Sequence, residues 1–185
     1  MGKYISLSRG INVGGHRKIL MVDLKKIFTR LGAKNVLTFI QSGNVIFESE
    51  DWNASNFSTK VQSKIQSEYA FEVNVIIVSC TDFKALPKQN PFYTAPSEYD
   101  RKENKLHVTF VNEVPNEVLV QKLKEQNFKD EYLILGKTIF IQCAGKYSDT
   151  KLTNQLFEKK LNCSAATRNW KTVLKPLDLV SSWHF

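Results

Sequence analysis

Three polar segments of this 185-residue chain carry residue types that could do chemistry. The first is Arg9-Gly10-Ile11-Asn12-Val13-Gly14-Gly15-His16-Arg17-Lys18, which mixes cations with glycines. Between a strand and a helix, such a loop lies where unpaired backbone N–H groups collect and an anion is stabilised. Glycines let a ligand come close to the backbone. Arg17 and Lys18 would oppose the helix dipole if they stood in its first turn, and a bound anion would offset that cost. The spacing, Gly10, Gly14, Gly15, is neither the dinucleotide fingerprint nor a P-loop. The second segment is Gln41-Ser42-Gly43-Asn44, a polar turn. The third is Thr167-Arg168-Asn169-Trp170-Lys171-Thr172, where Thr167 could cap a helix and leave Arg168, Asn169 and Lys171 around its start.

Other chemistries find less support. Cys80, Cys143 and Cys163 are odd in number and form no CxxC pair, so a zinc knuckle, a redox motif and a disulfide framework are all disfavoured, and a reducing cytoplasm fits. No His or carboxylate set has metal spacing, and no metal or cofactor is expected. Gly136-Lys137-Thr138 imitates the end of a P-loop, but Glu131 stands where glycine is required. No GxSxG is present, and the only histidine that could serve Ser42 is His16. His107 reads as a lone histidine on the outer face of a strand. No RNP1-like strand exists for base stacking.

The elements that must position these residues follow from periodicity. Lys3–Ser8 alternates as a strand. Gly2 and Ser6 fit the loose myristoylation pattern, but a buried strand is no free tail. Leu20, Leu24, Ile27, Phe28 and Leu31 have helical spacing and end at Gly32. Val36–Ile40 and Asn44–Glu48 form a hairpin, Phe57, Val61, Ile65 and Tyr69 a second helix, and Val73–Val78 a fourth strand buried on both faces. The order β-α-β-β-α-β is the split-βαβ, ferredoxin-like plan. Residues 81–104 read as a connection, with Thr81 capping a short helix that stops at Pro87.

The same order recurs afterwards. Leu106–Phe110 is a strand, Pro115 a helix-opening proline before Val118, Leu119 and Leu123, and Gly136-Lys137 a hairpin turn between Tyr132–Leu135 and Thr138–Gln142. Ser148 or Asp149 would cap the helix of Leu152, Leu156, Phe157 and Leu161. Cys163–Thr167 would close the sheet before a last helix. The expected architecture is α+β: two tandem ferredoxin-like subdomains, 1–80 and 105–185, with mostly antiparallel sheets.

This plan has a consequence for the polar segments. Its strand order is 4-1-3-2, with strand 3 antiparallel to strand 1. Ser8 and Arg9 must therefore lie beside Asn44. Arg9, Asn12, His16, Ser42 and Asn44 converge at one sheet edge, as binding sites do.

Charge adds to this. The net charge is +8, with 26 Lys and Arg against 18 Asp and Glu. Residues 1–50 hold eight cations against three acids, and 151–185 hold six against two. A surplus confined to the two ends points to an acidic partner. No apolar run approaches the roughly 18 residues a spanning helix needs, and no membrane partner is expected.

The segments Ser8–Gly15, Gln41–Phe47 and Thr167–Val173 together resemble the signatures of an uncharacterised bacterial family, a domain of unknown function marked by RGINVGG near its N-terminus. Ser8 departs from the leucine usual before the arginine, and Lys171 from the common asparagine. The resemblance implies a cytoplasmic bacterial protein of two ferredoxin-like halves. It implies no activity, ligand or catalytic residue, and the fold alone supplies none.

The expected function is therefore binding of a phosphate-bearing ligand, nucleic acid or nucleotide. The residues for it are Arg9, Asn12, Gly14, Gly15, His16, Arg17, Lys18, Ser42, Gly43, Asn44, Arg168, Asn169 and Lys171. One alternative is an enzyme using the same edge with His16 as general base. Another is a protein-interaction module anchored by Tyr93, Trp183 or Phe185. The sequence leaves the oligomeric state open.

Overall fold

The computed structural model describes residues 1–39, 43–50, 53–93 and 104–182. The chain divides into two compact units, Met1–Lys84 and Ala85–Phe185. Each holds a four-stranded antiparallel sheet with helices between strands, as two split-βαβ subdomains require.

In the first unit, β1 (Gly2–Arg9) and β3 (Asn44–Ser49) form the centre, β2 (Lys34–Phe39) and β4 (Asn74–Ser79) the edges, in the order β2-β3-β1-β4. Period-2 alternation sends Tyr4, Val45, Phe47 and Val75 to one face. There they meet Leu24, Ile27 and Phe28 of α1 (Met21–Arg30) and Phe57, Val61 and Ile65 of α2 (Ala54–Tyr69). Phe28, Phe47 and Phe57 form the aromatic centre, with ring centroids 5.1–5.8 Å apart. Each such buried side chain contributes about 1.5–3 kcal/mol. Ile5, Leu7, Ile46 and Ile76, on the opposite face, are buried too.

α3 (Cys80–Gln89) corrects two expectations. Its cap is Ser79, whose Oγ accepts from the Asp82 amide at 3.0 Å, so Thr81 lies inside the helix. The helix also runs past Pro87. A proline there costs about 3 kcal/mol. Phe83 and Leu86 are both fully buried, which offsets it.

The second unit repeats the plan in the order β6-β7-β5-β8. β5 (Leu106–Val111) pairs with β7 (Thr138–Gln142) and β8 (Ala165–Asn169), and β6 (Glu131–Leu135) flanks β7. Gly136 takes a φ of 56° in the hairpin turn. α4 (Glu117–Lys124) and α5 (Asn154–Leu161) cover one face through Val120, Leu123, Phe157 and Leu161. α6 (Trp170–Ser182) follows β8 directly.

Cap positions differ from the expected ones here as well. Asn116 caps α4 by accepting from the Val118 amide at 2.9 Å, so Pro115 precedes the cap and Val118 points to solvent. Tyr147–Asp149 is a 3-10 turn, and α5 is capped by Thr153, which accepts from the Leu156 amide at 3.2 Å. The closing strand is Ala165–Asn169, two residues later than expected. Thr167 is therefore a strand residue: its hydroxyl lies 2.7 Å from that of Thr109 and donates to Asn154 Oδ1 at 2.7 Å.

Candidate functional site: the glycine loop and the sheet edge

The glycine loop is a tight hairpin turn, and its sequence sets its shape. Gly14 and Gly15 have φ of 59° and 78°, the left-handed pair that a two-residue turn of this hand needs. The His16 amide donates to the Val13 carbonyl at 3.1 Å, and the Asn12 amide to that of Arg17 at 3.2 Å. Ile11 and Ile19 are buried and anchor the loop to the core. Asn12 secures the return: its Nδ2 donates to the Ile19 carbonyl at 3.0 Å and its Oδ1 accepts from the Ile19 amide at 2.9 Å. Asn12 thus positions the loop.

Beyond the loop, α1 begins at Met21 with Leu20 as its N-cap, and no side chain caps it. The amides of Asp23 and Leu24 donate to the Leu20 carbonyl at 3.0 and 2.9 Å, while those of Met21 and Val22 ahead of them have no intrahelical acceptor. A depression of ≈ 330 Å³ lies there, lined by Asn12, Gly15, Lys18, Ile19, Leu20 and Met21. A Cβ on Gly15 would meet nothing within 4 Å, so the backbone is open on that side. Arg17 and Lys18 stand ahead of the helix rather than in its first turn, where Asp23 sits favourably instead. The expected dipole penalty is thereby avoided. Arg17 lies over the Phe71 ring at 6.0 Å. Lys18 has no carboxylate partner among the described residues.

The sheet brings the second segment to the same edge. The Ser8 amide donates to the Gly43 carbonyl at 3.2 Å, and Asn44 pairs in register with Leu7. Gly43 packs tightly: a Cβ there would approach Ile11 Cδ1 to 2.3 Å. Asn44 is buried, and Arg9, at the end of β1, is half-buried and in register with Asn74. Arg9, Asn44 and Asn74 share the sheet face opposite the helices. Gln41 and Ser42 lie outside the described residues, so the Ser42–His16 couple does too. No nucleophile or carboxylate is hydrogen-bonded to His16 among the described residues.

The remaining predicted residues belong to the second unit. Arg168 is half-buried, opposite Val108, and donates to the Thr167 carbonyl at 3.0 Å. Burial lowers its guanidinium to about 10, which leaves it charged at neutral pH. Asn169 caps α6 by accepting from the Lys171 amide at 2.9 Å, and Lys171 is exposed. The TRNW segment is thus a strand end with an asparagine cap. Tyr93, an expected interaction anchor, packs at a tilt of 54° against buried Trp170 with centroids 5.2 Å apart. Trp183 and Phe185 lie outside the described residues.

Two features escaped the sequence analysis. Val13, Leu20 and Val22 are 65%, 70% and 64% exposed around the loop and the start of α1. The signal was Leu20, counted as core although no buried residue precedes it at helical spacing. The second feature is a buried polar cluster. His107 is buried on the helix face of its sheet, not on an outer face, because Tyr147 from the 3-10 turn stacks on it at 4.2 Å. Cys143 Sγ is 4.0 Å from His107 Nδ1. Desolvation lowers the His107 imidazole and raises the Cys143 thiol to about 11. Among the described residues no group of three or more His, Cys, Asp or Glu could hold a metal ion, and no helix is long and apolar enough to cross a membrane.

Residues 1–140 match the model of a family described as "Protein of unknown function (DUF1697)". Among solved structures, the chain is similar to the conserved bacterial protein SP0830 from Streptococcus pneumoniae. The TM-score is 0.71 at 27% identity, over 97% of this chain and 98% of that one. No curated protein matches the sequence.

Proposed function

Because this chain belongs to the DUF1697 family, whose description assigns no activity, we propose its function from geometry: the glycine-loop edge of the first unit binds a phosphate-bearing ligand, nucleic acid or nucleotide. One observation carries this. The depression at the uncapped start of α1 is lined by an open glycine and a lysine without a carboxylate partner. Unpaired helix N–H groups and a cation suit a phosphate, and Asn12 holds the loop ready for it. His16 and Arg17 add donors at the rim. Arg9, Gly43 and Asn44 form the floor of the adjoining sheet edge.

The test pairs a nucleotide thermal-shift panel with a fluorescent oligonucleotide panel, both at low salt. A ligand at about 100 times its Kd should stabilise the fold by about 2.7 kcal/mol. Lys18→Glu should abolish that gain while the unliganded protein melts as before. Silence in both panels ends the proposal.

A further inference from the structure

Each sheet has two edge strands, β2 and β4 in the first unit and β6 and β8 in the second. An edge strand presents unpaired N–H and C=O groups to any extended chain that reaches it. Three of these edges are blunted. On β4, the Val75 amide donates to Gln62 Oε1 at 3.3 Å, and the Val75 carbonyl accepts from Ser58 Oγ. On β8, the Ala165 amide donates to Glu158 Oε1 at 3.1 Å. On β2, the register shifts between Lys34 and Leu37, with Asn35 at a φ of 50°. Such a bulge and an edge lysine both work against strand addition.

β6 has none of these devices. Its pairing with β7 runs without a shift from Glu131–Gln142 to Leu135–Thr138. The closing pair of a two-residue hairpin is hydrogen-bonded both ways, and bonded pairs alternate with unbonded ones. Glu131, Leu133 and Leu135 therefore spend their backbone groups on β7, while those of Tyr132 and Ile134 point away from the sheet. Among the described residues nothing bonds to them. Leu133 and Leu135 are 41% and 45% exposed on the face opposite the helices, whereas Tyr132 and Ile134 pack against the core. The edge is thus regular and apolar, with its bonding groups unused.

We infer that β6 docks against β6 of a second copy of this chain, antiparallel about a two-fold axis, so that the sheet continues across the pair. Charge selects this occupant and this direction. The strand starts at Glu131 and is followed by Lys137 in the turn at its other end, and both are exposed. Glu131 accepts from Gln142 Nε2 at 3.2 Å, and Lys137 donates to the Asn112 carbonyl at 3.2 Å. Each keeps further hydrogen-bonding capacity. Antiparallel pairing sets Glu131 beside the partner's Lys137, twice by symmetry. A parallel pair would set Glu131 against its own copy, which is repulsive. A patch this short belongs to the small-interface class, so the dimer dissociates on dilution.

The experiment is size exclusion with light scattering from about 1 µM to about 1 mM protein, the span of weak affinities, joined to amide exchange. The mass should rise from that of the monomer towards twice it. The Tyr132 and Ile134 amides should become protected as it does, while those of Leu133 and Leu135 are protected throughout. Leu133→Lys should weaken association at least about 10-fold, with melting temperature confirming the fold. Glu131→Lys should do the same, and adding Lys137→Glu should restore the dimer. Within one chain those two positions lie about 20 Å apart along the strand, so the restoration cannot arise inside a monomer. A mass that stays monomeric throughout leaves the edge to a strand of another protein and overturns the inference. So does a dimer indifferent to Leu133→Lys, one that the charge reversal fails to restore, or one that leaves Tyr132 and Ile134 exchange unchanged. None of these outcomes bears on the phosphate reading, which stands or falls on its own panels.

Discussion

Asn12 clasps Ile19 through both polar atoms of its side chain, donating to the carbonyl at 3.0 Å and accepting from the amide at 2.9 Å. The six-residue excursion between them is thereby closed like a ring, with Gly14 and Gly15 at its far end. Ile19 is buried, so its backbone groups rely on Asn12 more than on water.

Replacing Asn12 should therefore act on the whole loop. Asn12→Ala leaves the Ile19 amide and carbonyl unpaired, at about 1–3 kcal/mol each in principle and somewhat less where water can enter. It also puts alanine at a φ of 55°, where asparagine is better tolerated. A urea midpoint lower by an amount worth about 2 kcal/mol is expected, with faster amide exchange at Ile19. Asn12→Asp keeps the acceptor and should cost less. Equal exchange rates in the two variants would contradict the clasp.

The two loop-edge glycines separate conformational need from space. Both Gly15 and Gly43 have a φ of 78°. A Cβ on Gly15 meets nothing within 4 Å, so Gly15→Ala should cost only the left-handed strain of about 1–2 kcal/mol. A Cβ on Gly43 would stand 2.3 Å from Ile11 Cδ1 and 2.9 Å from Ser8 Cβ. Overpacking adds a further 1–3 kcal/mol or so there. Denaturant melts of the two variants should differ by that margin. On the phosphate reading, Gly15→Ala should also weaken the ligand.

Much of the fold was legible because its signals are local and periodic. Alternation in Lys3–Ser8 and the four-residue spacing of Phe57, Val61, Ile65 and Tyr69 each mark one element, and the topology rules supply the order. That order put Asn44 beside the end of β1, as the Leu7–Asn44 register has it. Caps were harder. Thr167 and Asn169 are equally good cap residues by type, and the pairing of β8 with β5 decides between them. Asn12 looked like a ligand residue because its type is right. Its partner, Ile19, is set by how the loop closes, which no short motif encodes. His107 looked exposed because the cover, Tyr147, comes from a turn 40 residues away.

The cysteines should be slow to react in the folded protein. Burial raises the thiols of Cys80, Cys143 and Cys163 to about 11 each. At pH 7.5 the thiolate fraction then falls more than 100-fold below that of an ordinary cysteine near 8.5. A disulfide reagent should label none of them quickly in the native state and three in urea. Cys163, the least buried, should lead. Rapid native labelling of Cys143 would mean that its region opens far more often than its packing implies.

The stacked His107–Tyr147 pair predicts how stability responds to acid. Desolvation lowers the His107 imidazole from its ordinary 6.5, against the pull of a hydrogen bond to the Lys105 backbone. The groups around it are neutral near pH 7: burial raises both the Tyr147 phenol and the Cys143 thiol. No ion pair to His107 forms among the described residues to welcome a proton. The unfolded chain therefore binds the proton more readily than the fold. Full stability is present above the unfolded value near 6.5. It falls as pH drops below that, towards the lowered folded value, and this contribution levels off beneath it. The slope from one such group cannot exceed about 1.4 kcal/mol per pH unit. Urea midpoints measured from pH 8 to pH 5 should show the loss. His107→Gln should remove that portion of the slope while retaining a polar ring-sized side chain against Tyr147. An unchanged slope in the variant would place the acid sensitivity on groups other than His107.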